Sequence, residues 1–337
     1  MQIKVEPGRD TFEWVLIAKG IGIILVVVGH FRPESSPTYW SEIVKIIYSF
    51  HMPLFFVLSG YLYSHGKHSY SDLIKSKTKR LLYPFVSIAT AIFLIKYIAG
   101  RVVNLELPVN IDSIYALLAR PFNSYMPVLW FVHALFLIFA IYPLARLVLN
   151  NLAMLLLLVV INSVIGREYF MFGMAIDSMP FFVLGVILRE NGKLSGMAIS
   201  VDWRYAVASS VIFLCAYTMR LSVNFEYVYG YPYRILIGAA GSLLVINMSY
   251  TISALSDNRI KDVLIQIGYY SMTIYLFHTL VGSIVRIGFL QAFKHMQAPF
   301  ELIAFGTITC GVILPLLLEK KVLRKNWVTK KFVLGLA

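Results

Sequence analysis

The chain is 337 residues long, with 59% hydrophobic residues, only 14% charged residues and a mean hydropathy of +0.74. That composition excludes an ordinary water-soluble domain and describes a chain that crosses a membrane several times. The net charge of +13 does not denote nucleic-acid binding, because the basic residues lie beside apolar segments instead of forming one soluble basic face.

About ten apolar segments of spanning length follow one another, centred near Ile23, Val57, Ile88, Leu137, Leu156, Val183, Phe213, Leu243, Tyr275 and Gly311. They predict an all-α polytopic membrane fold, with residues 1–337 forming a single membrane-embedded domain. Lys and Arg are dense in alternate connections: Lys75 to Arg80, Arg146, Arg189, Arg204, Arg259, Lys261 and the tail from Lys320 to Lys331. The intervening connections carry a thinner set, including Arg32, Lys45, Arg101, Arg120, Arg234 and Arg286. The positive-inside rule then places both termini in the cytoplasm, as a short N-terminal segment, 1–11, and a basic tail, 320–337. Glu6 and Asp10 precede the first segment and no small-residue cleavage site follows it, so it reads as a retained span and not a signal peptide. The two cysteines, Cys215 and Cys310, fall inside apolar segments and imply neither a disulfide framework nor a zinc site.

The first span carries the most informative pair. Lys19 and His30 are separated by just over three helical turns, so they share nearly one face, about 16 Å apart along the axis. Ionisable groups on a membrane span are costly and mark the bundle interior or a water-filled cavity. An imidazole can take a proton from a hydroxyl near neutrality, which makes His30 the candidate catalytic group. The plainer readings are a helix-end histidine bonded to water and a lysine snorkelling to the headgroups. His51, just before Met52-Pro53, and His278 are candidates to line the same cavity, or else to hold helices together by hydrogen bonds. Trp130 is read as a core residue or a ligand contact. From Glu226 to Arg234 the chain alternates tyrosines, including Tyr231, beside Arg234; rings in this pattern suit sugar stacking or an aromatic belt at the interface. No histidine pair has the spacing of a metal site, so no metal is expected.

Six strings in order then add to this pair: Ile17–His30 (IAKGIGIILVVVGH), Phe50–Gly60 (FHMPLFFVLSG), Lys79–Phe85 (KRLLYPF), Leu129–Phe131 (LWF), Met179–Gly185 (MPFFVLG) and Ile267–His278 (IGYYSMTIYLFH). Together they resemble the acyltransferase-3 family of integral membrane acyltransferases, and most closely its fucose O-acetylase-like branch. The resemblance implies a ten-span fold that transfers an acyl group, usually acetyl, from cytoplasmic acetyl-coenzyme A to a sugar hydroxyl of a surface or lipid-linked glycan in the bacterial cytoplasmic membrane. It carries His30 over as the catalytic histidine and Lys19 as its basic partner. Direct transfer and an acetyl-histidine relay both follow from it. The run Lys75, Lys77, Lys79, Arg80 then suits the donor phosphates, with Arg80 best placed and Lys79 beside it, or serves as ordinary positive-inside charge. One departure stands out: where family members often carry an acid three residues before the basic one, this chain has Leu16. Either Glu13, one turn earlier, takes that role, or Lys19 depends on the donor for charge balance.

Two rival readings remain at the sequence level. A transporter or flippase of a glycan intermediate would use the same intramembrane charges as a path, although no repeated half with interrupted spans is evident. A family member that has lost catalysis and acts as a membrane scaffold is the other.

Overall fold

A computed structural model of the protein describes residues 13–33, 36–64, 66, 69–101, 109–120, 124–164, 172–200, 202–222, 225–256, 258–292 and 299–336, with side chains outside 220–229. The N-terminal segment 1–11 lies outside the described residues. Sixteen α-helices follow in chain order: α1 (Glu13–His30), α2 (Thr38–Tyr48), α3 (His51–Tyr61), α4 (Tyr70–Lys77), α5 (Tyr83–Ala99), α6 (Ile111–Ala119), α7 (Trp130–Ala145), α8 (Asn151–Val164), α9 (Gly173–Glu190), α10 (Gly192–Ala198), α11 (Trp203–Ser222), α12 (Phe225–Ser253), α13 (Arg259–Tyr269), α14 (Ser271–Ala292), α15 (Phe300–Leu318) and α16 (Trp327–Phe332). The described residues contain no strand. With no water to bond backbone groups in a bilayer core, an apolar chain of this kind satisfies them within helices.

Each of the ten predicted spans falls on a helix, but they do not all qualify alike. Among the described residues seven helical segments are long and apolar enough to cross a membrane, and eight if the α10–α11 pair, bent by 82°, counts as one span. The remaining differences have local causes. Helix α8 is only 14 residues long, and α9 carries Asp177, Arg189 and Glu190. The protein is a multi-pass membrane protein on this evidence of several long apolar helices.

Helix α1 is apolar nearly all round, and its residues from Trp14 to Ala18, with Ile23, Val26 and Val27, are buried. A helix without a polar face belongs inside a bundle, and α1 is surrounded by α2, α3, α12, α13, α14 and α15. Two crossings bring backbone against backbone. A β-carbon on Gly268 would stand 1.9 Å from the Leu16 carbonyl oxygen, and one on Gly20 would stand 2.3 Å from that of Leu264, so α1 and α13 touch through glycines. Helices α3 and α9 meet likewise: β-carbons on Gly60 and Gly185 would lie 1.9 Å from the Phe182 oxygen and 2.0 Å from the Val57 oxygen.

The segment from α2 to α3 breaks at Ser49 and Phe50, where Phe50 departs from helical geometry (φ −143°, ψ −15°). Pro53 explains the break, since its ring nitrogen cannot donate to the carbonyl of Ser49 four residues earlier. Two buried polar groups inside the bundle, Asn247 and Glu319, are bonded across helices. Asn247 of α12 is fully buried, accepts from the Ser200 amide at 3.2 Å and donates to the Ala198 carbonyl at 3.0 Å and the Ser209 hydroxyl at 2.8 Å. Glu319, in a π-helical turn after α15, accepts from Thr273 of α14 at 2.5 Å and from Arg324 at 2.8 Å.

The basic tail is folded. Helix α16 lies on α5, where Phe332 stacks on Tyr83 at 5.5 Å and the Ser87 hydroxyl donates to the Phe332 carbonyl at 2.8 Å. Apolar Phe332 and Val333 among the lysines supply the surface that docks.

The α3–α9 crossing generates a stability prediction. Gly60→Val forces two packed backbones apart and should cost about 1–3 kcal/mol or more. Thermal unfolding followed by size-exclusion chromatography of the purified protein should show a lower midpoint than for the parent, and an unchanged midpoint would refute the close crossing.

Candidate functional site

Three predicted histidines meet. The rings of His30, at the end of α1, and His278, on α14, stand edge to face with centroids 4.9 Å apart. Tyr48 connects the third, at 6.0 Å from His30 and 4.8 Å from His51. His30 is partly buried, whereas His51 and His278 are 3% and 2% exposed, too little for bulk water to serve them.

All three rings are fixed in the same tautomer by backbone carbonyls three or four residues earlier in the chain. His30 Nδ1 lies 2.8 Å from the Val26 carbonyl oxygen, His51 Nδ1 2.8 Å from that of Ile47, and His278 Nδ1 2.7 Å from that of Tyr275. A carbonyl oxygen can only accept, so each Nδ1 carries the proton and each neutral ring keeps its lone pair on Nε2. For His278 that Nε2 is buried and has no hydrogen-bond partner among the described residues. An unpartnered acceptor in such surroundings is costly, and a donor from a ligand or a water removes that cost.

The histidine pair forms one wall of a cavity of about 210 Å³ between α1, α14 and α15. On α14, His278, Gly282 and Arg286 recur every four residues and line it along one stripe, with Thr279 and Ser283 beside them. Arg32 enters from the chain just after α1, and Thr307 from α15. The Thr307 hydroxyl is another buried polar atom without a hydrogen-bond partner among the described residues. Hydroxyls, imidazole acceptors and guanidinium donors in one recess can bind a polyhydroxylated molecule and remove a proton from it. Among the described residues no group of three His, Cys, Asp or Glu side chains is placed to hold a metal ion.

The other sequence candidates lie elsewhere. Lys19 is half-buried eleven residues before His30 on α1, about 16 Å away along the axis. The Glu13 carboxylate bonds the Lys261 ammonium of α13 at 2.8 Å. Near this end of α1, Trp14 stacks on Tyr250 at 4.6 Å and meets Tyr61 edge-on at 5.0 Å, and Arg189 stands 5.3 Å above the Tyr61 ring. Lys79 and Arg80 are exposed on the π-helical turn between α4 and α5, against which Gly335 of the tail packs. Trp130 opens α7 beside Phe56, 6.1 Å away, and Phe131.

Tyr231 and Arg234 join α12 to α9 instead of the histidine cavity. Arg234 makes a two-pronged ion pair with Asp177, at 3.0 and 3.2 Å, and the Tyr231 hydroxyl donates to the Asp177 carbonyl oxygen. Tyr233 is also buried, and its hydroxyl donates to the Ala216 carbonyl oxygen of α11. The side chains of Tyr227 and Tyr229 lie outside the described residues.

Sequence reasoning passed over Arg32 as a ligand contact, and also Thr279, Ser283, Arg286 and Thr307. A signal was available for one of them: Arg286, eight residues after His278, sits within a quarter turn of it on a 3.6-residue wheel. Thr307 had no such signal, because nothing in α15 says which face meets α1.

Fold and site together define a multi-pass membrane protein with a histidine-lined cavity between its apolar helices. Residues 12–318 match the family model described as an acyltransferase domain, so the chain belongs to the acyltransferase-3 family, as its ordered motifs imply. It is similar to the nodulation protein NolL of Mesorhizobium japonicum, with 24% identity over 335 residues, covering 92% of this chain and 86% of that one. NolL of Sinorhizobium fredii is 40% identical over 87 residues, 23% of each chain. No solved structure gives a significant match.

The α9–α12 ion pair yields the prediction here. Arg234→Gln leaves Asp177 partly buried without its partner and should cost about 1–3 kcal/mol, discounted because both groups retain some exposure. Thermal unfolding of Arg234→Gln, Asp177→Asn and the double variant should show the double losing less than the summed singles. Strict additivity would show that the two groups do not act as a pair.

Proposed function

We propose that this protein is an O-acetyltransferase of a bacterial cytoplasmic membrane, acting as a single membrane-embedded domain. It moves acetyl from acetyl-coenzyme A to a sugar hydroxyl of a surface or lipid-linked glycan. The observation that carries the reading is the His30 ring: its Nδ1–H is held by Val26 and its Nε2 is left as a base in a hydroxyl-lined cavity, in a chain of an acyltransferase family. Ten spans with both termini in the cytoplasm fit the ten helices that coincide with the predicted segments and the alternation of basic connections.

In this mechanism the acceptor hydroxyl enters the cavity and gives its proton to His30 Nε2 as its oxygen attacks the thioester carbonyl carbon. The carbon–sulfur bond then breaks, the acetyl group stays on the sugar oxygen, and the departing thiolate takes the proton back from His30. The Val26 carbonyl keeps the ring oriented and favours the imidazolium that forms in between. Lys19 supplies positive charge deeper along α1, on the donor's route, and Lys79 and Arg80 hold the donor phosphates at the basic turn. The donor's long flexible arm is what lets phosphates and thioester sit at separate places.

The α9–α12 ion pair bears on the rival reading. Asp177 and Arg234 are bonded to each other, which withdraws that one pair of charges from any path for a moving glycan. The decisive experiment measures coenzyme A release from acetyl-coenzyme A by purified protein, with and without a lipid-linked glycan extract. Release should depend on the extract and fall by about 10²–10⁴-fold in His30→Ala, with donor binding retained. Full activity in that variant would remove His30 from the chemistry, and glycan movement without thioester consumption would establish a transporter.

A further inference from the structure

The cavity's charge is one-sided. Arg32 and Arg286 both line it, and no carboxylate lines it among the described residues. Neither guanidinium has an ion-pair partner among the described residues, and Arg32 is exposed and stands 5.5 Å over the Tyr48 ring. Two cations converging on one recess repel each other, and an anion bound between them removes that cost. Planar guanidinium forks match the oxygens of phosphate and carboxylate.

Two further atoms show that the recess is built for a polar guest. His278 Nε2 and Thr307 Oγ1 are both buried, both belong to lining residues, and both are without a hydrogen-bond partner among the described residues. An acceptor and a hydroxyl at the depth of His30, with guanidinium groups nearer the helix ends, form a graded site: hydroxyl recognition inside, anion recognition at the mouth.

We propose that the acceptor is anionic, a glycan bearing a phosphate or carboxylate group that Arg32 and Arg286 bind at the mouth while a sugar hydroxyl reaches His30. This rests on the acyl-transfer reading for the role of the hydroxyl, and on the cavity alone for the anion. Arg286 is eight residues beyond His278 on one stripe of α14, about 12 Å along the axis. Two sources share this chemistry, the phosphate of a lipid linker and the carboxylate of an acidic sugar.

The test measures equilibrium binding to the full-length protein in neutral detergent, using two matched pairs. One pair is a disaccharide 1-phosphate and the free disaccharide; the other is a hexuronic-acid disaccharide and its uncharged amide. The charged member of at least one pair should bind about tenfold or more tightly, and the pair that shows it identifies the source. Arg286→Gln and Arg32→Gln should each reduce that preference, the charged member losing more affinity than the neutral one, and Arg286→Lys should retain part of it. Equal binding within both pairs, no binding by any of the four, or a preference that survives in the double glutamine variant would overturn the anion site. Coenzyme A release is measured separately on the same four ligands. A charge preference without release on any of them overturns acyl transfer and keeps the anion site, whereas release without a charge preference does the reverse.

Discussion

The backbone contact between α1 and α13 is the constraint on which the site depends. Gly20 and Gly268 let the two helices touch through peptide groups, where any side chain would hold them apart. Helix α13 runs into α14 with only Tyr270 between them, so this crossing sets where α14 starts. The Thr273–Glu319 hydrogen bond then ties that start to the end of α15. With both ends of the α13–α14 corner held, His278 comes to rest against His30 and the α14 stripe faces the cavity.

Hydrogen-bond accounting explains why three histidines in an apolar setting can serve as bases. In each ring one nitrogen is spent on a backbone carbonyl three or four residues earlier, within the same helix or across the α2–α3 break. The other nitrogen is left with a lone pair, and that of His278 is buried without a hydrogen-bond partner among the described residues. The Pro53 break has a part in this, because the Ile47 carbonyl that holds His51 belongs to the helix before the interruption. The same accounting assigns Asn247, Glu319 and the Asp177–Arg234 pair to holding the bundle together, since their polar atoms are bonded to protein groups.

A consequence is that polar residues on the spans divide by satisfaction and not by residue type. Arg234 and Arg286 are both arginines on membrane helices, yet Arg234 is locked to Asp177 while Arg286 lines a cavity whose walls carry no acid among the described residues. Tyr231 and Tyr233 spend their hydroxyls on backbone carbonyls, which accounts for their burial in a motif that also suits sugar stacking. Glu13 meets Lys261, a residue 248 positions away in sequence, which no spacing argument around Lys19 could supply.

By itself the sequence determined the helical, multi-pass character, the position of each apolar segment and the family motifs. It also set the spacing of Lys19 and His30 on one helix. These are legible because they rest on composition and on the 3.6-residue period, both local to a stretch of chain. Tertiary structure alone decided that His278 rather than Lys19 is the neighbour of His30, that Arg32, Arg286 and Thr307 converge there, and that Tyr231 and Arg234 pair off with α9. Which helices meet, and on which face, follows from small residues and polar partners scattered over some 300 positions, and no local period records that.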